Sequence, residues 1–197
     1  MQTPAFQAGR IWFKYRGFSP VPVLLFVLLM PVVWAPSFPA RLTLLGLILA
    51  AEGVRIWAVG YAGSVTRTRQ DAVNSLVCAG PFRYVRNPLY IANIVMYVSW
   101  AVLFGLGVYA ALAAVFFAIQ YSLIVRYEEG ILAGTFGDAY REYQRLVPRW
   151  VPRLNATRQT SAHRFQLRAA LRSERSTLIA MVLTAVACWL KIRGVAG

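Results

Sequence analysis

Acidic residues are scarce in this chain: seven Asp and Glu stand against 21 Lys and Arg in 197 residues. Charge of either sign is sparse, at 14%, while 58% of the residues are hydrophobic and the mean hydropathy is +0.53. That balance excludes an ordinary soluble domain and points to one compact polytopic membrane domain over residues 1–197. Histidine occurs once, as His163, and reads as a headgroup-facing residue. The two cysteines, Cys78 and Cys188, are far apart and lack metal-ligand spacing, so no metal site is expected and both read as small apolar residues. No cleavable signal is expected either, because Pro20, Pro22, Pro31 and Pro36 punctuate the first apolar run and no small-residue cleavage site follows.

What is present is a series of apolar runs. A helix needs about 20 mostly apolar residues to cross the hydrocarbon core. Five candidate spans emerge, over residues 20–36, 42–62, 88–104, 108–125 and 176–190. No charge separates the third from the fourth, and Gly105-Leu106-Gly107 between them marks a tight helical hairpin. The expected fold is therefore all-α, a transmembrane helical bundle of about five spans.

The basic residues give an orientation, since cytoplasmic connections near spans are enriched in Lys and Arg. The N-terminal tail, the 63–87 connection and the 126–175 segment hold 17 basic residues; the opposite side holds only Arg41, Lys191 and Arg193. The N-terminus and both long connections are thus expected in the cytoplasm and the C-terminus outside. Because these cations alternate with membrane-length apolar runs, they point to anionic lipid headgroups rather than to nucleic acid. Asp138 to Leu146 has helical spacing, stopped by Pro148. Residues 155–175, with Arg164, Arg168, Arg172 and Arg175 in phase, predict a basic interfacial helix.

Three places have chemistry. Glu52 and Arg55 are charges inside a span, which are costly there; three residues apart, they can pair on one helix face as a structural ion pair or as the polar wall of a substrate cavity. Glu128 and Glu129 are adjacent carboxylates at the end of the fourth span, fit either for ion pairs with Arg126 or Arg83 or for a ligand's hydroxyls or ammonium. The stretch Gly80-Pro81-Phe82-Arg83-Tyr84-Val85-Arg86-Asn87-Pro88-Leu89-Tyr90 combines a turn with a helix start, Asn87 as N-cap and Pro88 at the first position. Two arginines beside a helix N-terminus make an anion site or a lipid-facing helix start. Gly105-Leu106-Gly107-Val108-Tyr109-Ala110 fits a dinucleotide-binding glycine pattern, but no strand precedes it, so a Rossmann site is rejected.

The Gly80–Tyr90 stretch, followed by Glu128-Glu129 and then Phe136-Gly137, Tyr140, Tyr143, Val147-Pro148 and Val151-Pro152, resembles the integral-membrane methyltransferases of the isoprenylcysteine carboxyl methyltransferase and phospholipid methyltransferase superfamily. Three blocks in order, over about residues 60–154, carry the resemblance. It implies S-adenosylmethionine as methyl donor, with 63–87 and 126–154 as cytoplasmic cofactor-site segments. By that similarity Asn74, Ser75, Leu76, Val77, Phe82, Arg86, Asn87, Pro88, Leu89, Tyr90 and Glu128 would hold the cofactor. Arg126 would orient the acceptor and Glu129 would serve as base. Asn87 stands where the isoprenylcysteine branch has His and resembles the phospholipid branch, whereas the Phe136 to Pro152 tail looks more like the isoprenylcysteine branch.

The function this implies is methyl transfer to a lipophilic acceptor, either isoprenylcysteine carboxylate-like or phospholipid amine-like. Such a reaction needs positioning and a water-poor site more than a nucleophile of the enzyme's own. Two other readings remain. One is an NADPH-dependent membrane reductase of the steroid-reductase type, which shares an Asn-Pro-x-Tyr helix start; the other is a non-catalytic lipid-binding scaffold.

Overall fold

The computed structural model describes residues 3–17, 29–30, 34–63, 75–158, 161 and 163–196. Among these residues the chain is helical and without strands: α1 (Pro4–Tyr15), α2 (Phe38–Ala62), a 3-10 turn (Gly80–Arg83), α3 (Pro88–Leu103), α4 (Gly107–Phe136), α5 (Asp138–Leu146) and α6 (Leu167–Ala196). Three of the helices, α2, α4 and α6, are long and apolar enough to cross a membrane. The fourth apolar helix, α3, has 16 residues, which at the helical rise spans only about 24 Å. Most of the first expected span, residues 20–36, and also Arg67, Arg69 and Asn74, lie outside the described residues.

The element starts follow local chemistry. Pro39 and Pro88 sit in the first turns of α2 and α3, where a missing N–H costs nothing. The α3–α4 hairpin closes through Gly105 at φ 75°, a left-handed value that favours glycine, with Leu106 fully buried behind it. α3 is the central helix. It packs on α2 along one side and on α4 along the other, while α6 lies on α2 and α1 on α4. Two apolar clusters fill the interior. Ile48, Met96, Trp100, Phe104 and Leu106 form one, and Phe117, Tyr121 and Ile124 with Tyr90 and Tyr97 form the other.

Two elements depart from the sequence expectation. α4 does not stop at Val125 but continues to Phe136, so Arg126, Glu128 and Glu129 lie on a helix rather than in a connection. Charge begins at Arg126, yet nothing in Arg126-Tyr127-Glu128-Glu129 breaks a helix, and Gly137 at φ 54° is the first residue that does. The basic segment is also not one helix over 155–175. Residues 155–158, 161 and 163–166 are extended or irregular, which leaves Arg164 outside the helix, and α6 then runs unbroken from Leu167 through the apolar stretch.

Candidate functional site

The extended segment after α5 folds back over the 75–87 loop. Arg86 N–H donates to Pro148 O, Arg153 N–H to Tyr84 O and Thr157 N–H to Arg83 O, each within 3.2 Å. Cys78 N–H donates to Ser161 Oγ at 3.2 Å, and His163 lies between Ser161 Oγ (2.9 Å) and Ser75 Oγ (3.0 Å). Close backbone approach makes room for the strap's aromatic anchor: a Cβ on Gly60 would lie 2.2 Å from the Phe165 ring, and Phe165 packs on Tyr61 with ring centroids 5.6 Å apart. Under the strap, Cys78, Tyr140, Tyr143 and Val147 form a small buried cluster with Leu76 against it. Tyr143 Oη donates to Phe82 O at 2.8 Å. Burial pushes the Cys78 thiol up to about 11 and raises the Tyr143 phenol above its ordinary value.

The arginines expected to form an anion site are committed to the protein. Arg83 donates from Nε and Nη2 to Thr157 O. Arg86 reaches Glu129 Oε1 from Nε and Nη2, both at 3.1 Å, and Gln144 O and Val147 O from Nη1 at 2.9 and 3.1 Å. Arg149 closes the other side of Glu129, with Nε on Oε1 at 3.1 Å and Nη2 on Oε2 at 2.5 Å. That contact holds the Arg149 guanidinium proton more tightly than usual, against a smaller opposing effect of burial. Glu129 is therefore a buried clamp joining α4, the helix start at Asn87 and the strap, and both its oxygens are engaged by guanidinium donors. The Glu129 carboxylate, expected to serve as base, is thus held between the Arg86 and Arg149 guanidinium groups.

Glu128 is different. Its Oε1 accepts from Arg16 Nη1 at 2.8 Å and from Tyr90 Oη at 2.9 Å, and its side chain stays about a quarter exposed. Arg126, on the same helix, is exposed and is not drawn into this group. Asn87 does not cap α3 with its side chain. Its Nδ2 donates to Arg149 O at 3.2 Å, and the first turn of α3 is left without a side-chain cap. Ser75 is exposed, while Leu76, Val77, Phe82, Leu89 and Tyr90 are half-buried and Pro88 is buried.

Deeper in the bundle, Glu52 and Arg55 pair as their spacing allows, with Nε on Oε2 at 3.2 Å. The other donors of Arg55 reach Glu174 Oε2 (2.6 Å) and Thr177 Oγ1 (3.5 Å) on α6, and Asn93 Oδ1 on α3. Asn93 Nδ2 in turn donates to Tyr121 Oη at 3.3 Å. Beside this cluster is a cavity of about 290 Å³. Arg55, Asn93 and Thr177 line its polar part, and Trp100, Phe104 and Met181 are among its apolar walls. Glu52 braces Arg55 without being among the lining residues.

Residues 37–139, just over half of the chain, match the family described as phospholipid methyltransferase. The chain belongs to the phospholipid methyltransferase family. With three membrane-length apolar helices, this family member is an integral membrane protein. It is 31% identical over 128 residues, 65% of the chain, to the cobalt-zinc-cadmium resistance protein CzcN of Cupriavidus metallidurans, covering 56% of that protein. It is 29% identical over 130 residues, 66% of the chain, to the nickel-cobalt-cadmium resistance protein NccN of Alcaligenes xylosoxydans xylosoxydans, covering 57% of it. A protein-S-isoprenylcysteine O-methyltransferase of Schizosaccharomyces pombe is 27% identical over 112 residues, 55% of the chain and 48% of that enzyme. The chain thus spans about half the length of the curated relatives it matches. No solved structure gives a significant match.

Sequence reasoning missed Arg16, Asn93, Arg149 and Glu174. Asn93 and Ser99 are the only polar side chains besides tyrosine and tryptophan in the apolar α3, and Glu174 is the only acidic residue after Glu142. Each carried a signal of that kind. Arg16 and Arg149 carried none, being two cations among many.

Proposed function

We propose that this protein is an S-adenosylmethionine-dependent membrane methyltransferase acting on a lipophilic acceptor. The observation that carries the proposal is on α3. Tyr90, in the helix-start motif, packs on Tyr121 with ring centroids 4.7 Å apart and the planes tilted by 35°, and Asn93, one turn on, hydrogen-bonds the same Tyr121 from the cavity wall. A cofactor at the helix start and an acceptor in the cavity would thus meet across one aromatic residue.

The residues present fit the cofactor. The first turn of α3 has free backbone N–H groups and no side-chain cap, which suits a carboxylate. Arg149, still about 38% exposed, adds a cation to that end. Glu128 offers a partly exposed carboxylate for ribose hydroxyls or an ammonium group. Leu76, Val77 and Phe82 supply apolar contact for a base ring, and the strap pinned by Tyr143 and Arg83 keeps them in place. When bound, S-adenosylmethionine supplies an electrophilic methyl on a sulfonium. The chain's own task is then to orient the two partners, exclude water and accept any proton the acceptor must lose; Glu128 is the carboxylate with room to do so, since Glu129 is clamped.

Titration of the purified protein in lipid nanodiscs with S-adenosylhomocysteine and with NADPH tests this reading. Saturable binding of the first is expected, weakened about 10-fold by Glu128→Gln, the loss of one charge-assisted hydrogen bond. Tight binding of NADPH with none of S-adenosylhomocysteine would transfer the assignment to a reductase.

A further inference from the structure

We infer that the cavity beside Arg55 takes a compact single-chain lipophile whose head is not anionic, an amine or a thiol rather than a carboxylate. This rests on the reading of the cavity as the acceptor site and narrows the acceptor's class.

Size gives the first limit. At about 290 Å³ the cavity is at the low end of volumes that hold a small ligand, roughly 300 to 1,000 Å³. One short hydrocarbon chain fits against Met96, Trp100, Phe104, Phe117 and Met181. Two acyl chains with a glycerophosphate exceed that volume.

Charge gives the second limit. Among the described residues, Arg55 is the only basic side chain lining the cavity. Its Nε faces the Glu52 carboxylate, its Nη2 the Glu174 carboxylate and its Nη1 the Asn93 amide oxygen. A guanidinium already flanked by two carboxylates has little attraction for a third, and in a low-dielectric surrounding the two would repel it. What the polar end does offer is hydroxyl and amide chemistry, from Ser176, Thr177 and Asn93. A neutral or basic head meets these groups without opposing charge.

Part of the wall comes from α6, through Thr177, Ala180, Met181 and Thr184, and Glu174 of the same helix holds Arg55. That helix lies beyond residues 37–139, the part matched by the family. Acceptor choice is thereby assigned to an element that the family's shared region does not contain.

The test is competition binding to the full-length protein in nanodiscs, in the absence of any S-adenosyl compound, with decylamine, decanethiol, decanoate and dioleoyl phosphatidylethanolamine as probes. Tryptophan fluorescence is the readout, with Trp100→Phe assigning the signal to the cavity. Saturable one-to-one binding of decylamine or decanethiol is expected, at least 10-fold tighter than that of decanoate, with no competition from the diacyl lipid. Ala180→Phe should abolish it without shifting the melting transition. Glu174→Gln should narrow the gap between amine and acid. Decanoate binding as tightly as decylamine, the diacyl lipid competing, or equal unsaturable uptake of all probes would each overturn the inference. Because no cofactor is present, these outcomes are read independently of S-adenosylhomocysteine binding, on which the methyltransferase reading depends.

Discussion

Replacing Glu129 by Gln separates a clamp from a catalytic base. The carboxylate is 8% exposed and holds Arg86, itself 10% exposed, and Arg149, 38% exposed. The amide keeps the shape but loses the charge and one acceptor, and it leaves two guanidinium groups facing each other across α4. Removing one partner of a buried ion pair costs about 3–5 kcal/mol. Arg149 is more than a third exposed, so water recovers most of its share, and the Arg86 side alone suggests a loss of about 3 kcal/mol. Because Arg86 also fixes Gln144 O and Val147 O, the strap should loosen with it. Thermal unfolding in nanodiscs, followed by tryptophan fluorescence and by proteolysis after Arg149 and Arg153, is the measurement. A clearly lower melting transition and faster cleavage are expected, partly recovered by Glu129→Gln combined with Arg149→Gln, which removes one of the two opposed cations. An unchanged melting curve together with abolished methyl transfer would refute the clamp and restore Glu129 as a base.

Other perturbations test the supporting geometry. Gly9→Ala places a Cβ 2.3 Å from Leu123 O and 2.9 Å from Tyr127 Cβ, so α1 must lift from α4; a loss of about 1–3 kcal/mol in stability is expected, and weaker S-adenosylhomocysteine binding as Arg16 leaves Glu128. Gly80→Ala combines a φ of 60° with a Cβ 2.2 Å from the Tyr61 ring, worth about 1–2 kcal/mol for the backbone alone, and should appear as early proteolysis of the 75–87 loop. In a Cys188→Ser background, Cys78 should resist maleimide at pH 7–8. Its thiol, raised from 9.0 to about 11, holds about 100-fold less thiolate than an ordinary one in that range. For the same reason its contribution to stability is complete below about pH 9 and is lost as the pH rises toward 11.

The sequence by itself determined the helices and the membrane. Runs of apolar residues without charge can satisfy their backbone only as helices in lipid, which is why α3 and the Gly105 turn were readable, while the charged α5 was readable from its helical spacing and Pro148. It also marked Glu52 and Arg55 as partners, since three residues on a helix put both on one face. The local signals failed at Arg126, where charge looked like the end of a helix. Helix continuation depends on backbone-compatible residues, and the polar turn of α4 is covered by α1, Arg16 and the strap. Only the tertiary structure decided which charges are structural and which remain open. Arg86 and Glu129, 43 residues apart, and Arg55 and Glu174, 119 apart, meet through packing that no spacing rule encodes. The helix start at Gly80 to Tyr90 looked like an anion site because two arginines crowd it. In the folded chain both point inward, and the positive end left open consists of the α3 backbone and the half-exposed Arg149.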